Sequence, residues 1–174
     1  MHRTTAELEQ FMDGILASPN DRGPIELIVR RPAEDERETV DAGELDPEVG
    51  LVGDDWSQRG GSHHETQLTL MNSRVLDAVA GDRERWPLAG DQIIVDLDVS
   101  RDNLAPGTRL RVGQAVVEIS SVPHTGCAKF ASRYGKEGLR FVNVGEGRER
   151  RFRGVYAFVV EGGAFSVGDK ITKL

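Results

Sequence analysis

The chain has 174 residues, 38% of them hydrophobic and 29% charged, which suits one domain with a sizeable core rather than a disordered or fibrous protein. Its net charge of −7 argues against general nucleic-acid binding. No apolar run approaches the ~20 residues of a spanning helix, and the N-terminal segment with Glu7 and Glu9 does not read as a secretion signal; with a single cysteine, this predicts a reducing, cytoplasmic setting and no membrane partner.

Residues 4–17 predict a helix, because Leu8, Phe11, Met12, Ile15 and Leu16 recur at helical spacing behind Thr4 and Thr5. Ser18-Pro19-Asn20-Asp21 ends it, and residues 25–30 read as a strand. Residues 34–55 are strongly acidic and are expected to form a surface loop, partly mobile. From Gly50 the texture changes to short β-type runs. Residues 66–70 alternate like a half-buried strand. Asn72 or Ser73 then caps a short helix that stops at Gly81, and residues 93–99 form a strong strand. Residues 109–112 and 115–119 flank Gly113-Gln114 as a tight hairpin. Residues 155–160 are expected to pair with 167–171. Small helices are expected near 128–134 and 136–142. Many short strands with glycine turns predict a β-rich barrel with small helices.

Charge is unevenly spread. Residues 34–55 carry ten acids against Arg37 alone, and residues 127–153 carry eight bases against three acids. The basic stretch begins at Cys127, the only cysteine in the chain. A pocket formed there would suit an anion.

A lone thiol is a buried filler, a nucleophile or a metal ligand, and buried filler is the commonest role for a free cysteine. The neighbours of Cys127 favour the other two. His124, Lys129 and Arg133 lie close in sequence, and nearby cations favour the thiolate. His124-x-x-Cys127 resembles half a zinc site, but only His2, His63 and His64 remain as imidazole ligands, and His63 and His64 suit a turn beside Gly60-Gly61. A Cys–His nucleophile pair requires the imidazole to reach the sulfur, which a positive-φ turn at Gly126 would allow. Asp96, Asp98, Asp102 and Asn103 lie at a strand end, where polar groups line a site mouth or simply build a turn. Gly145-Glu146-Gly147 lacks the context of a dinucleotide fingerprint.

Several segments in order resemble the MOSC domain family, named after the C-terminal domain of molybdenum cofactor sulfurase. They are Gly50–Asp54, Gly60–His64, Leu88–Gln92, Asp98–Leu104, Pro106–Gly113, Pro123–Phe130 and Val167–Asp169. The resemblance covers roughly residues 48–174 and leaves residues 1–47, with the N-terminal helix, strand and acidic loop, outside it. It implies a β-rich barrel and one cysteine that contacts molybdenum or transfers sulfur, with molybdenum cofactor as the anionic small-molecule ligand. On this basis Cys127 is the metal ligand and catalytic thiolate, with His124 beside it, and Asn103 lines the site. Lys129, Arg133, Arg151 and Arg153 would bind the cofactor, since arginine forks suit phosphate.

Some members are fused to pyridoxal-phosphate-dependent sulfurases, and others reduce N-hydroxylated substrates. This chain has four lysines and no recognisable pyridoxal-phosphate motif, sulfurase domain or additional β domain. A stand-alone member is expected, served by a cysteine desulfurase or an electron-donor protein. A further reading is a cofactor-free interaction module that docks through the acidic segment.

Overall fold

A computed structural model describes residues 2–174. Its strands are β1 (Arg22–Arg30), β2 (Glu38–Val40), β3 (Ala42–Asp46), β4 (Gly50–Leu51), β5 (Leu68–Asn72), β6 (Ile93–Val95), β7 (Arg109–Val112), β8 (Ala115–Ile119), β9 (Val155–Glu161), β10 (Gly163–Ser166) and β11 (Lys170–Lys173). The helices are α1 (Thr5–Glu9), α2 (Met12–Leu16), α3 (Ser73–Ala80), α4 (Ala128–Asn143) and α5 (Glu146–Glu149), with short 3-10 turns between.

Seven strands close a barrel in the order β11-β7-β8-β9-β5-β6-β1, because β1 pairs with both β6 and β11. Within the ring only β5 and β6 run parallel, joined through α3. Closure removes the exposed edges that an open sheet would present. The seam is tight at Gly23, where an added Cβ would lie 1.7 Å from the carbonyl oxygen of Asp96. This glycine is required by close backbone approach.

Strand alternation divides the core into two layers. Leu68, Leu70, Ile93 and Val95 fill the barrel with Val117, Ala157 and Ile171. Met71 and Ile94 face outwards and pack with Leu8, Val75, Leu76, Trp86, Phe130, Tyr134 and Phe152 under the helices. Both faces of β5 are therefore covered, and all five of its residues are buried.

The hairpin at Gly113 forms as expected, with Gly113 at φ +58. Asn72 caps α3 and Gly81 ends it in the left-handed region. The two predicted helices after Cys127 form one kinked α4, bent at Gly135 with φ +83.

Three expectations change. The N-terminal helix is two short helices broken at Gln10–Phe11. The acidic segment contains β2, β3 and β4, because Leu45 and Leu51 are buried in the barrel core and β3 pairs with β10. Strand β9 does not pair with β11; it lies between β5 and β8, while β11 bridges β7 and β1. Barrel closure needs β11 next to β1, so the local hairpin is forgone.

Candidate functional site

The segment after β8 leaves the barrel and feeds α4, with Cys127 at the helix N-cap. Its path is fixed by the far end of the same helix. Gly126 N donates to Asn143 Oδ1 at 2.8 Å, and Asn143 Nδ2 donates to Gly126 O at 3.0 Å. Gly126 is not in a positive-φ turn; an added Cβ would lie 2.6 Å from Leu139 Cδ1, so that side-chain end would have to shift.

Cys127 is exposed and lines a cleft of roughly 640 Å³. Arg31, Arg37, Arg59, Lys129, Arg133 and Arg153 line it too, against three acids, Glu34, Asp35 and Asp55. Burial pushes the Cys127 thiol up, but the backbone amides of Phe130 and Lys129 and the charges of Arg153 and Arg133 outweigh it. The thiol ends below its ordinary value. Free amides at a helix start and neighbouring guanidinium groups are what favour a thiolate.

The cations are held by buried acids behind the cleft. Asp54, fully buried, accepts from Arg31 Nε at 2.9 Å and Arg31 Nη2 at 2.8 Å. Asp91, also fully buried, pairs with Arg153 Nη1 at 2.7 Å. Burial pushes the Asp91 carboxyl up, and Arg153 opposes that. The remaining cations crowd one another: burial, then Arg133 and Arg31, lower the Arg37 guanidinium.

His124 is 8% exposed at its side chain and tilts against the Tyr156 ring at 4.4 Å. Burial, then Arg153 and Arg31, hold it well below the ordinary histidine range, so the imidazole is neutral. Its Nδ1 lies 3.9 Å from Asp91 and has no hydrogen-bond partner among the described residues; Arg37 Nε and Arg153 Nε are likewise buried and unpartnered there. All three residues line the cleft. Unsatisfied buried donors are costly, and an anion in the cleft would offer an acceptor to the Arg37 and Arg153 Nε–H groups.

One acidic strap crosses the mouth. Asp35, at φ +60, places Oδ1 3.1 Å from Lys129 Nζ and 3.6 Å from Arg133 Nη2. Glu34 adds a contact to Lys129 at 3.5 Å.

The MOSC domain family model matches residues 52–172. The chain belongs to the MOSC family. Solved structures agree on the fold. YiiM from Escherichia coli is 19% identical with a TM-score of 0.57, over 88% of this chain and 69% of that one. YuaD from Bacillus subtilis is 14% identical with a TM-score of 0.59, over 86% and 94%. YiiM from Geobacillus stearothermophilus is 15% identical with a TM-score of 0.55, over 90% and 74%. No curated protein matches the chain.

Within this MOSC domain the residues singled out from sequence fall in three places. Cys127, His124, Lys129, Arg133 and Arg153 share the cleft. No hydrogen bond joins His124 to Cys127, so no Cys–His pair is assembled; the imidazole is taken up by the Tyr156 and Asp91 side instead. Asn103 lines no part of the cleft. Its Nδ2 donates to Asn20 O at 2.8 Å and Asp98 O at 2.7 Å, and Lys173 Nζ donates to its Oδ1 at 3.0 Å. It ties together a turn at the barrel end. Arg151 lies in a second cleft and donates to Leu104 O at 2.7 Å.

Zinc is disfavoured as well. His63 and His64 are exposed, and among the described residues no group of three His, Cys, Asp or Glu could hold a metal. Sequence reasoning missed Arg31, Arg37, Arg59 and Asp91. Arg37 was noted only as the one base of the acidic stretch 34–55, and Asp91 lay in the segment Leu88–Gln92, where nothing in its spacing announced a buried counter-ion.

Proposed function

We propose that this MOSC protein binds molybdenum cofactor, or carries sulfur for it, through the Cys127 thiolate in the cationic cleft. The observation that carries this is the placement of an exposed, acid-shifted thiol among six cations, with Arg37 Nε, Arg153 Nε and His124 Nδ1 buried beside it and unpartnered among the described residues. The cofactor is anionic, so Arg133, Arg153, Arg37 and Lys129 would hold its phosphate and oxo groups. Its metal, already held by the pterin, would take one further soft ligand, which thiolate supplies. Bound there, the cofactor would provide oxygen-atom and electron transfer.

The chain's own residues have distinct tasks in this reading. The first-turn amides of α4 and the guanidinium of Arg153 keep Cys127 deprotonated. Asp91 fixes Arg153 in position. Neutral His124 and Tyr156 form a less polar wall beside the sulfur. As a sulfur carrier, Cys127 would attack the outer sulfur of a desulfurase persulfide. A new S–S bond forms, the donor thiolate leaves, and no net oxidation occurs.

A second reading is reduction of N-hydroxylated substrates, which needs the cofactor and a separate electron-donor protein. A cofactor-free interaction module would be favoured by a buried Cys127 with no cleft; the exposed sulfur and the cleft beside it weigh the other way.

The test is incubation of purified protein with a cysteine desulfurase and cysteine, read by intact mass, beside protein expressed in a cofactor-competent host. An addition of about 32 Da on wild type that dithiothreitol removes, absent in Cys127→Ala, or bound molybdenum supports the reading. Neither sulfur nor molybdenum on the wild type rejects it.

A further inference from the structure

A second cleft, of roughly 780 Å³, lies on the other side of the segment that carries His124. The two clefts share His124 and no other lining residue. Arg101 enters from the loop after β6, Arg148 from α5, and Arg151 from the turn that leads into β9. Among the described residues none of these three makes an ion pair, although Asp102 and Glu149 also line the cleft. The fourth arginine, Arg150, is already paired with Glu146 at 2.7 Å.

Two features set this group apart from an ordinary solvated surface. Arg151 has φ +56, a left-handed conformation that L side chains rarely adopt. It is held there by Arg151 N donating to Arg148 O, Gly154 N donating to Arg151 O, and its own Nη1 on Leu104 O. Arg151 is also half-buried, and burial, then the charge of Arg101, lowers its guanidinium from the usual value. Strain and like-charge crowding are thus kept together at one position, and a bound anion would relieve the crowding. Ser120 and Thr125 add hydroxyl groups to the same cleft, whereas the Ser121 hydroxyl donates to Glu65 Oε1 at 3.3 Å. Guanidinium forks with hydroxyl donors suit the oxygens of a phosphate.

We infer that the Arg101–Arg148–Arg151 cleft is a second anion site, separate from the Cys127 cleft, that takes a small phosphorylated molecule. The site binds without covalent chemistry and does not require Cys127 or any ligand on it. Its position places a bound phosphate across the His124 segment from the thiol.

The experiment is titration of the full ¹⁵N-labelled chain with sodium pyrophosphate at constant ionic strength, followed by amide chemical shifts. Saturable shifts at Arg101–Asp102 and Arg148–Arg151 are expected. The double variant Arg101→Ala/Arg148→Ala should weaken that set about tenfold or more, while shifts around Lys129 and Arg133 persist. Arg151→Gly removes the cation while relieving the left-handed strain, so it tests the site with the turn conformation favoured. Shifts in that segment that do not saturate, or that are unchanged in both variants, overturn the proposal.

Discussion

Arg153 Nη1 lies 2.9 and 2.7 Å from the two carboxylate oxygens of Asp91, behind the wall of the cleft that holds Cys127. The acid is fully buried and the arginine nearly so. Asp91 is shut off from water while Arg153 keeps an edge on the cleft, and Arg153 also stacks over the Phe130 ring at 4.9 Å. Removing one partner leaves the other charge buried and alone. Asp91→Asn should therefore lower unfolding stability by about 3 kcal/mol, measured by urea denaturation at pH 7. A loss within experimental error would mean that the pair does not hold the wall.

His124 gives a pH signature of known sign. Its folded pKa lies well below 6.5, so the folded state refuses a proton that the unfolded chain accepts. The stability due to the neutral ring is complete above the unfolded pKa and is lost as pH falls below about 6.5 towards the folded value. The slope approaches about 1.4 kcal/mol per pH unit from this one group. Denaturation series at pH 7.5, 6.5 and 5.5 should show it, with a shallower slope in His124→Asn. Equal slopes in both proteins would place the pH sensitivity elsewhere.

Cys127 should alkylate with a pH midpoint below that of free cysteine, because the amides of α4 and the nearby arginines outweigh burial. Arg133→Ala should raise the midpoint and slow iodoacetamide at pH 7. An unchanged midpoint would remove Arg133 from the thiol's electrostatic surroundings.

The acidic strap makes a separate prediction. Asp35 sits against Lys129 and Arg133 at the mouth of the cleft. Asp35→Asn should speed alkylation of Cys127 by anionic iodoacetate about two- to fivefold relative to neutral iodoacetamide, and salt should erase the difference. An identical ratio in wild type and variant would show that the strap exerts no charge control.

Gly23 tests the closure of the barrel. A methyl group there meets the Asp96 carbonyl oxygen at 1.7 Å, so β1 would have to move away from β6. Gly23→Ala should cost about 3 kcal/mol or more, read as a lowered Tm. A wild-type Tm would show that the seam has slack.

Local signals carried much of the fold. Gly113-Gln114 between two apolar runs marked its hairpin, and Asn72 and Gly81 bracketed α3 by cap chemistry alone. The partner of β11 was not legible, because closing the ring against β1 is a long-range event that no local pattern encodes. The same holds for the site. Cys127, Lys129 and Arg133 are close in sequence and were found together. Arg31, Arg37 and Arg59 reach the cleft only because the β1 end, the loop between β1 and β2 and the loop beyond β4 fold across it. The acidic segment looked like loop by composition, yet two buried leucines, Leu45 and Leu51, anchor it. Asn103 sits in a motif that resembled a site edge, but its amide is consumed by the backbone carbonyls of Asp98 in its own turn and of Asn20 before β1.

The most direct measurement is molybdenum content per chain by elemental analysis, for wild type and Cys127→Ala purified from the same cofactor-competent host. The cofactor reading predicts metal on the wild type that is lost or strongly reduced in the variant. Equal molybdenum in both would contradict a role for the Cys127 thiolate as ligand, and its absence from both, with no persulfide on Cys127, would contradict the proposed function as a whole.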